Sequence, residues 1–210
     1  MTRDWVDWHE GYDVAESSLA RRLVVVRRYL SEALAAAPPP VRLLSICAGD
    51  GRDVLPVLAS YPAGREVHAV LVELTPELAD RARAAAADLD LPAVEVRTAD
   101  AGATATYAAL EPADILLACG VFGNVTHEDM CRTVAALPAL TTPGATVIWT
   151  RGRRPDADPS QEVRAQFRAE GFTELAFTAP GDARFRVGMS RRPPNGGTAL
   201  PSEPRLFTFR

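Results

Sequence analysis

Residues 43–55 constrain the fold of this chain more than any other segment. They read Leu-Leu-Ser-Ile-Cys-Ala-Gly-Asp-Gly-Arg-Asp-Val-Leu, which is an apolar run followed by a turn of small residues that opens into a helix-like stretch. A strand, a glycine-bearing loop and a helix in this order bring backbone N–H groups and uncrowded Cα atoms against a ligand. The segment therefore predicts an α/β domain with a ligand site at the end of its first strand.

A second signal follows at the expected distance. The strand-like run 67–72 ends in an acidic residue, Glu73. An acidic side chain at the end of a strand can accept hydrogen bonds from the hydroxyls of a ribose. The two signals together indicate a nucleoside-binding α/β domain more firmly than either alone.

Composition limits the broad class of protein. The 210 residues are 47% apolar, which fits one globular domain. No apolar run approaches the roughly 20 residues that span a bilayer, and the N-terminus lacks the order of a signal peptide. The three cysteines are odd in number and widely spaced, which favours a reducing cytoplasm over a disulfide framework or a zinc site. They are Cys47, Cys119 and Cys131.

The charge pattern argues against a polyanionic partner. The net charge is −4 and acidic and basic residues are interleaved, whereas a nucleic-acid-binding module usually has a basic excess. All 23 basic residues are arginine, and alanine and proline are abundant. This bias is typical of a GC-rich genome, so we expect a bacterial protein. Together with the charge, the cysteines and the short apolar runs, we expect it to be cytoplasmic, with neither a nucleic-acid nor a membrane partner.

Strand and helix signals alternate after an N-terminal helix. Asp13 and Glu16 have the form of a capping box, and one apolar face then recurs at spacings of three and four until Pro38 ends it. The predicted strands are 41–47, 67–73, 93–97, 113–119 and 145–151. The predicted helices are 53–60, 76–87, one that begins after Thr126, and one that ends at Glu170.

The pattern changes near the C-terminus. Runs 172–177 and 185–189 are separated by a turn too short for a crossover helix, so they predict an antiparallel hairpin. A last short edge strand is expected at 206–209. The alternation before the hairpin predicts a doubly wound parallel sheet, with its ligand at the carboxyl ends of the strands. Four candidate residues fall at or just past the ends of strands 1 to 4: Gly49, Glu73, Asp100 and Cys119.

Two nucleotide-dependent alternatives fit the sequence less well. The third glycine of the dinucleotide fingerprint would fall at Val54, whose side chain hinders close helix–strand packing. About forty residues also precede the first strand, which is unusual for a dinucleotide domain. A nicotinamide-dependent oxidoreductase is therefore the less favoured hypothesis. Phosphoryl transfer through a P-loop is disfavoured because the chain contains no lysine.

Residues 41–189 resemble the class I S-adenosylmethionine-dependent methyltransferases. The first motif of that family is an acidic residue followed by Gly-x-Gly-x-Gly; Gly49 and Gly51 match it, whereas Ser45 stands at the acid and Cys47 at the first glycine. The resemblance implies a seven-stranded, mostly parallel Rossmann-like sheet with a C-terminal antiparallel hairpin. It also implies S-adenosyl-L-methionine as cofactor, and a Pro-Gly turn before the fifth strand at 143–144.

The resemblance carries the cofactor contacts over to particular residues. Glu73 with Leu74 matches the ribose-binding position, Asp100 with Ala101 the adenine position, and Cys119 with Gly120 the segment beside the methionine end. The implied cofactor-binding residues are Ala48, Gly49, Asp50, Gly51, Glu73, Leu74, Asp100, Ala101, Cys119 and Gly120.

The acceptor side is less defined. Methyl transfer depends mainly on alignment, and a base is needed only if the acceptor must lose a proton. Loops at the same sheet edge offer Phe122, Asn124 and Arg151 as substrate-binding residues, and His127 is the candidate general base because histidine titrates near neutral pH. From the N-terminal segment, Tyr12 could bind substrate, and with His9 it could fold over the pocket as a lid.

These residues predict a methyltransferase that acts on a small-molecule substrate by in-line displacement, as a monomer or homodimer. We expect residues 1–40 to form an N-terminal helical segment or lid and residues 41–210 the cofactor-binding domain. The alternative is a methyltransferase-fold protein that binds the cofactor without methylating, as a cyclase, decarboxylase or regulatory partner. The departures at Ser45 and Cys47 keep that alternative open.

Overall fold

A computed structural model describes residues 11–12, 14, 16–153, 157–195 and 199–210. Its helices are α1 (Ser18–Ala36), α2 (Leu55–Ser60), α3 (Pro76–Asp88), α4 (His127–Leu140) and α5 (Ser160–Ala169). Its strands are β1 (Arg42–Ile46), β2 (His68–Glu73), β3 (Val94–Thr98), β4 (Ala113–Ala118), β5 (Thr141–Gly152), β6 (Thr173–Thr178) and β7 (Phe185–Arg191). Short 3-10 turns cover Gly64–Glu66 and Thr104–Tyr107.

The strands form one seven-stranded sheet in the order β3-β2-β1-β4-β5-β7-β6. The first five strands pair in parallel, whereas β7 is antiparallel to both β5 and β6. The predicted fold class and its C-terminal hairpin are therefore confirmed. The strand order reverses between β1 and β4, and in open α/β sheets such a switch point leaves a crevice at the carboxyl ends of the strands.

Each face of the sheet is covered by its own apolar layer. The side chains of β1 alternate between the two layers, so that Leu43 packs on one face and Leu44 on the other. Helix α1 covers the first face through Val26, Leu30 and Leu34. The second face is covered by α4, α5 and the end of the chain. Coverage on both faces explains why β1 and β4, at the centre of the sheet, are almost continuously buried.

Helix α1 begins later than the capping-box pattern predicted. Ser17 is its N-cap, and its hydroxyl accepts a hydrogen bond from the Ala20 amide at 3.0 Å. Glu16 has a φ of 66°, which is a left-handed conformation that a helix cannot contain. Asp13 lies outside the described residues. The prediction of a helix that starts at Asp13 and Glu16 was therefore wrong. None of the described helices has the length and apolarity needed to cross a bilayer.

Strand β5 also differs from its prediction. It begins at Thr141 and continues through the Pro143-Gly144 pair, which was expected to form a turn before the strand. The register against β4 shifts between Ala113 and Ile115, and Gly144 has a φ of 81°. Between these two pairs β4 advances two residues and β5 advances five, so β5 bulges by three extra residues, with Gly144 in the left-handed region. Proline is tolerated in such a bulge because no ladder hydrogen bond is lost there.

Residues 206–209 do not form the expected edge strand. The described tail makes a single antiparallel bridge there, between Ala103 and Arg205. Leu206 and Phe207 instead pack into the second apolar layer. An apolar sequence run predicts that its side chains are buried, but it does not show whether the segment also pairs as a strand.

An aromatic cluster fills the second layer beneath the hairpin. The Trp149 ring of β5 stacks on Phe167 of α5 with centroids 5.6 Å apart, and Phe122 packs edge-on at 6.4 Å. Gly188 of β7 lies directly opposite Trp149 in the ladder. A Cβ atom at this glycine would stand 2.2 Å from the Trp149 ring, so the indole occupies the space of a side chain on β7.

Candidate active site

The loop after β1 is a tight turn held by its own backbone. The Gly51 amide donates to the Ala48 carbonyl, and the Gly51 carbonyl accepts from the Leu55 amide that starts α2. Gly51 has a φ of 75°, and a Cβ atom there would lie 2.8 Å from the Leu55 side chain. Cys47, at the position of the family's first glycine, also adopts a left-handed φ of 57°. The backbone at Cys47 therefore keeps the conformation that favours glycine.

Glu73 ends β2 and joins two segments of the site. One carboxylate oxygen accepts from the Gly49 amide at 2.9 Å, and the other accepts from the Thr75 amide at 2.8 Å. The residue is buried. An ionised carboxylate has about four acceptor sites, so these two bonds leave capacity for further donors. Glu73 therefore fixes the glycine loop against the start of α3 and can still accept a ligand hydroxyl.

Asp100 follows β3 and is held on both sides. Its Oδ1 accepts from the Gly102 amide at 2.8 Å, as in an Asx turn, and its Oδ2 accepts from Arg205 at 2.8 Å. Arg205 comes from the end of the chain, so the carboxylate predicted to lie beside the adenine is also an attachment point for the C-terminus.

A polar cluster lies at the ends of β1 and β4. Arg22 of α1 donates a hydrogen bond to the Tyr12 hydroxyl, and the Arg52 guanidinium lies 4.8 Å from the centroid of the Tyr12 ring. Asp53 belongs to the same cluster; its Oδ1 atom is buried and finds no hydrogen-bond partner within the described ranges. Burial is the main reason why the pKa of Asp53 is raised to about 6. Asp50 raises this pKa further, whereas Arg22, Arg27 and its own backbone amide lower it.

The two thiols in this region are not activated. Burial raises the pKa of Cys119, and the facing Asp53 carboxylate raises it further. Burial likewise raises the pKa of Cys47, with a smaller contribution from Glu73. A thiol is a nucleophile as its thiolate, so both cysteines act as small, partly buried apolar side chains at neutral pH.

These elements surround one cavity of about 290 Å³ at the carboxyl edge of the sheet. Eight of the predicted site residues line it: Tyr12, Ala48, Glu73, Leu74, Asp100, Ala101, Cys119 and Gly120. Gly49, Asp50 and Gly51 do not line it. The Gly49 amide holds Glu73, and the Asp50 carboxylate pairs with Arg52 at 2.6 Å. These three residues shape the loop behind the cavity wall.

The predicted acceptor residues after β4 and β5 lie elsewhere. Phe122 is 1% exposed and belongs to the aromatic cluster of the core. Asn124 donates to the Gly120 carbonyl at 2.6 Å, and Arg151 donates to the Phe122 carbonyl, so both brace the loop after β4. None of the three side chains lines the cavity described above.

His127 is also outside the cavity. It is the first residue of α4, its side chain is 66% exposed, and its Nδ1 lies 3.0 Å from a Glu162 oxygen of α5. This position suits an ion pair between two helices and not a general base inside the pocket. His9 lies outside the described residues.

Ten residues that line the cavity are not among the predicted site residues. They are Arg22, Cys47, Arg52, Asp53, Thr75, Leu78, Arg205, Phe207, Thr208 and Phe209. Arg52 and Asp53 directly follow the glycine loop, and their charge next to that loop was a usable signal. The C-terminal residues carried no local signal, since they reach the site only through the tertiary fold.

Comparison with known proteins identifies the family. Residues 19–161 match the model of a family described as "Putative methyltransferase". The match covers more than half of the chain, and the chain therefore belongs to this methyltransferase family. Family membership identifies S-adenosylmethionine as the cofactor, as the sequence predicted. A search of curated proteins finds no match.

Solved structures share the fold at low sequence identity. An O-methyltransferase family protein from Burkholderia thailandensis is 16% identical with a TM-score of 0.66, over 83% of this chain and 56% of that protein. Magnesium protoporphyrin IX methyltransferase from Synechocystis PCC 6803, solved with bound S-adenosylmethionine, is 13% identical with a TM-score of 0.67, over 88% of this chain and 89% of that protein. An O-methyltransferase family 2 protein from Planctomyces limnophilus, in complex with apigenin, is 18% identical with a TM-score of 0.63, over 83% of this chain and 60% of that protein. This chain thus spans little more than half the length of the Burkholderia protein.

Proposed function

We propose that this protein transfers a methyl group from S-adenosylmethionine to a small-molecule acceptor by in-line displacement. The observation that carries the proposal is the position of Glu73: a buried carboxylate with spare acceptor capacity lies in a cavity at the switch point of the sheet. Open α/β sheets bind their ligands at this place, and an acid at the end of the second strand suits a ribose diol.

The residues of the cavity fit the chemically distinct parts of S-adenosylmethionine. Glu73 would accept the ribose hydroxyls, and Asp100 lies where the adenine is expected. At the other end, the buried Oδ1 of Asp53 has no partner in the described structure and is an acceptor suited to an ammonium group. Arg22 in the same cluster carries the charge that a carboxylate needs. The methionine end would therefore meet one acidic side chain, Asp53, and one positively charged side chain, Arg22.

The contribution of the protein would be alignment and exclusion of water. Bound S-adenosylmethionine would supply a methyl group on a positively charged sulfur. A nucleophilic acceptor would attack the methyl carbon in line with the carbon–sulfur bond and displace the sulfur. Alignment of reactants alone can contribute roughly 7–11 kcal/mol. The Glu73 carboxylate holds the glycine loop and the start of α3 in place before any ligand binds, so little reorganisation is needed on binding.

A small acceptor agrees with the charge of the chain. The cavity of about 290 Å³ has about the size of a small-molecule site and would hold the cofactor. The acidic net charge does not favour a polyanionic substrate. Two of the similar structures are described with small molecules in their names, protoporphyrin and apigenin.

The first test is calorimetric titration with S-adenosylmethionine, S-adenosylhomocysteine and NAD in parallel. We expect micromolar binding of the first two and none of NAD. Glu73→Ala should weaken binding of S-adenosylhomocysteine at least tenfold. Glu77→Ala is the matched control, because Glu77 is an exposed acid on the same helix as the Thr75 cap and pairs with Arg81.

Loss of Glu73 also leaves the Gly49 and Thr75 amides without their acceptor, so the titration is made well below the melting temperature, with circular dichroism to show that the variant is folded. A folded Glu73→Ala protein with the affinity of the unmodified chain would refute the ribose assignment. Binding of NAD alone would refute the cofactor assignment and favour the oxidoreductase.

A second candidate keeps the cofactor site without the methyl transfer. One observation favours it: Ser45 occupies the position of the family acid, and its buried hydroxyl has no hydrogen-bond partner in the described part of the chain. Incubation with S-adenosylmethionine and a panel of oxygen, nitrogen and carbon nucleophiles separates the two candidates. Formation of S-adenosylhomocysteine with an acceptor supports the methyltransferase; tight binding without turnover over the whole panel supports a binding, cyclase or decarboxylase role.

A further inference from the structure

The C-terminal segment (residues 203–210) crosses the carboxyl edge of the sheet beside the cavity. It is docked on the loop after β3 by backbone hydrogen bonds. The Leu206 amide donates to the Gly102 carbonyl at 2.8 Å, and the Thr104 amide donates to the Pro204 carbonyl at 3.0 Å. Burial of Leu206 and Phe207 in the second apolar layer holds the segment further.

The same segment also contacts the start of α4. The Arg210 amide donates to the Asn124 carbonyl at 2.9 Å, and the Thr208 amide donates to an Asp129 oxygen at 3.2 Å. The segment therefore spans from the loop after β3 to the loop after β4. These loops carry Asp100 and Gly120, which both line the cavity.

Four residues of the segment face the cavity: Arg205, Phe207, Thr208 and Phe209. The two phenylalanine rings stack with centroids 5.4 Å apart, which presents an aromatic surface to the pocket. Arg205 donates from Nη2 to Asp100 and from Nε to Thr208 at 3.1 Å. The guanidinium thereby ties the predicted adenine-binding acid to the segment that walls the same end of the cavity.

The ion pair between Arg205 and Asp100 contributes little to the stability of the fold. Its side chains are 44% and 37% exposed, and pairs with such exposure contribute at most about 1 kcal/mol. Its main effect is therefore positional: together with the Gly102 amide on the other oxygen, it fixes the orientation of the Asp100 carboxylate beside the cavity.

Gly102 shows how closely the segment is fitted to the loop. A Cβ atom at this position would stand 2.3 Å from the Phe207 carbonyl oxygen, which is a backbone atom of the docked segment. No L side chain fits there unless the segment moves away. Alanine at position 102 would thus displace the segment without altering any of its own residues, and its Cβ would also lie 3.1 Å from Asp100 Oδ1.

We propose that the C-terminal segment is a functional part of the cofactor site, in which residues 205–209 form the wall of the adenine end and Arg205 positions Asp100. The proposal rests on the proposed function, because it takes the ligand to be an S-adenosyl compound. Since docking of the segment and occupancy of the cavity use the same residues, each stabilises the other.

Two variants test this with S-adenosylhomocysteine as the probe in calorimetric titration. Arg205→Gln removes the link to Asp100 and should weaken binding about fivefold or more, while the melting temperature changes by no more than about 4 °C. Gly102→Ala displaces the segment and should weaken binding tenfold or more. The matched controls are Arg65→Gln, which removes another exposed arginine–aspartate pair, and Gly181→Ala, where a Cβ atom meets nothing within 4 Å.

Digestion by carboxypeptidase gives a second measurement that does not depend on turnover. Release of the last residues of the unmodified chain should slow when S-adenosylhomocysteine is present, and this protection should be reduced in Arg205→Gln. If both variants bind the probe as tightly as the unmodified chain, or if the probe gives no protection, the role of the segment is refuted. If the unmodified chain itself does not bind the probe, the proposed function fails, and this inference fails with it.

Discussion

Asp53 is predicted to lower the stability of the ligand-free protein, and its replacement by asparagine should reveal how much. The substitution keeps the size of the side chain but removes a charge whose Oδ1 is buried without a partner among the described residues. The pKa of Asp53 is raised from 3.8 to about 6. A difference of about 2 pKa units corresponds to a penalty of about 3 kcal/mol on the charged form.

The sign of the effect determines its pH dependence. Well below the unfolded pKa of 3.8 the carboxyl is protonated in both the folded and the unfolded chain, so it carries no penalty. As the pH rises, the unfolded chain loses its proton first, and the folded protein is progressively destabilised until the pH exceeds the folded pKa of about 6. Asp53→Asn should therefore raise the free energy of unfolding by about 1 kcal/mol near pH 4.5 and by about 3 kcal/mol at pH 8.

Chemical denaturation across this pH range measures the difference. At pH 8 the gain corresponds to a rise of about 6–12 °C in melting temperature for a chain of this size. Asp80→Asn is the matched control, because Asp80 is an exposed acid paired with Arg83 and should show no such gain. A gain that is absent at pH 8, or one that does not change with pH, would refute the reasoning.

The same substitution should have the opposite effect on ligand binding. If Asp53 accepts the ammonium group of the methionine end, Asp53→Asn should weaken binding of S-adenosylhomocysteine at least tenfold. Binding of 5′-methylthioadenosine, which lacks that ammonium group, should be unchanged. Equal losses for both ligands would place Asp53 outside the methionine subsite.

Three further substitutions test other parts of the structure. Ser45→Ala removes a buried hydroxyl without a partner in the described chain, so it should change the free energy of unfolding by less than about 1 kcal/mol. A loss above about 2 kcal/mol in urea denaturation would mean that the hydroxyl is hydrogen-bonded. Gly188→Ala should lower the free energy of unfolding by about 1–3 kcal/mol, because its Cβ would overlap the Trp149 ring. Gly181→Ala is the control, and equal stability of the two variants would contradict the packing. His127→Ala should leave the affinity for S-adenosylhomocysteine unchanged, because the side chain is exposed outside the cavity; a tenfold loss in calorimetry would restore a role at the site.

The sheet and the strand-end acids could be predicted because their signals are local. Apolar runs of five or six residues bounded by turns define the parallel strands, and the carboxyl ends of such strands meet at one edge. Glu73 and Asp100 could therefore be assigned to one site from their positions in the sequence. The tight turn after β1 could be predicted in the same way, because its glycines are themselves the signal.

The rest of the site depends on contacts that no local pattern encodes. Arg205 and Asp100 are 105 residues apart in sequence, and the apolar run that follows Arg205 reads equally well as a strand or as a docked segment. Phe122 and Asn124 stand in a loop whose sequence does not show which side chains turn toward the core. His127 was predicted as the general base because histidine titrates near neutral pH. Its position on the first turn of α4 leaves its side chain exposed outside the cavity.

The space shared by Gly188 and Trp149 restricts the order in which this protein can change. As long as the indole fills the gap opposite β7, no residue larger than glycine is accepted at position 188. A smaller residue at position 149 would leave a void that a side chain at 188 could then fill. We therefore expect homologues to carry either glycine opposite tryptophan or a larger residue opposite a smaller one, with the pair as the unit of divergence.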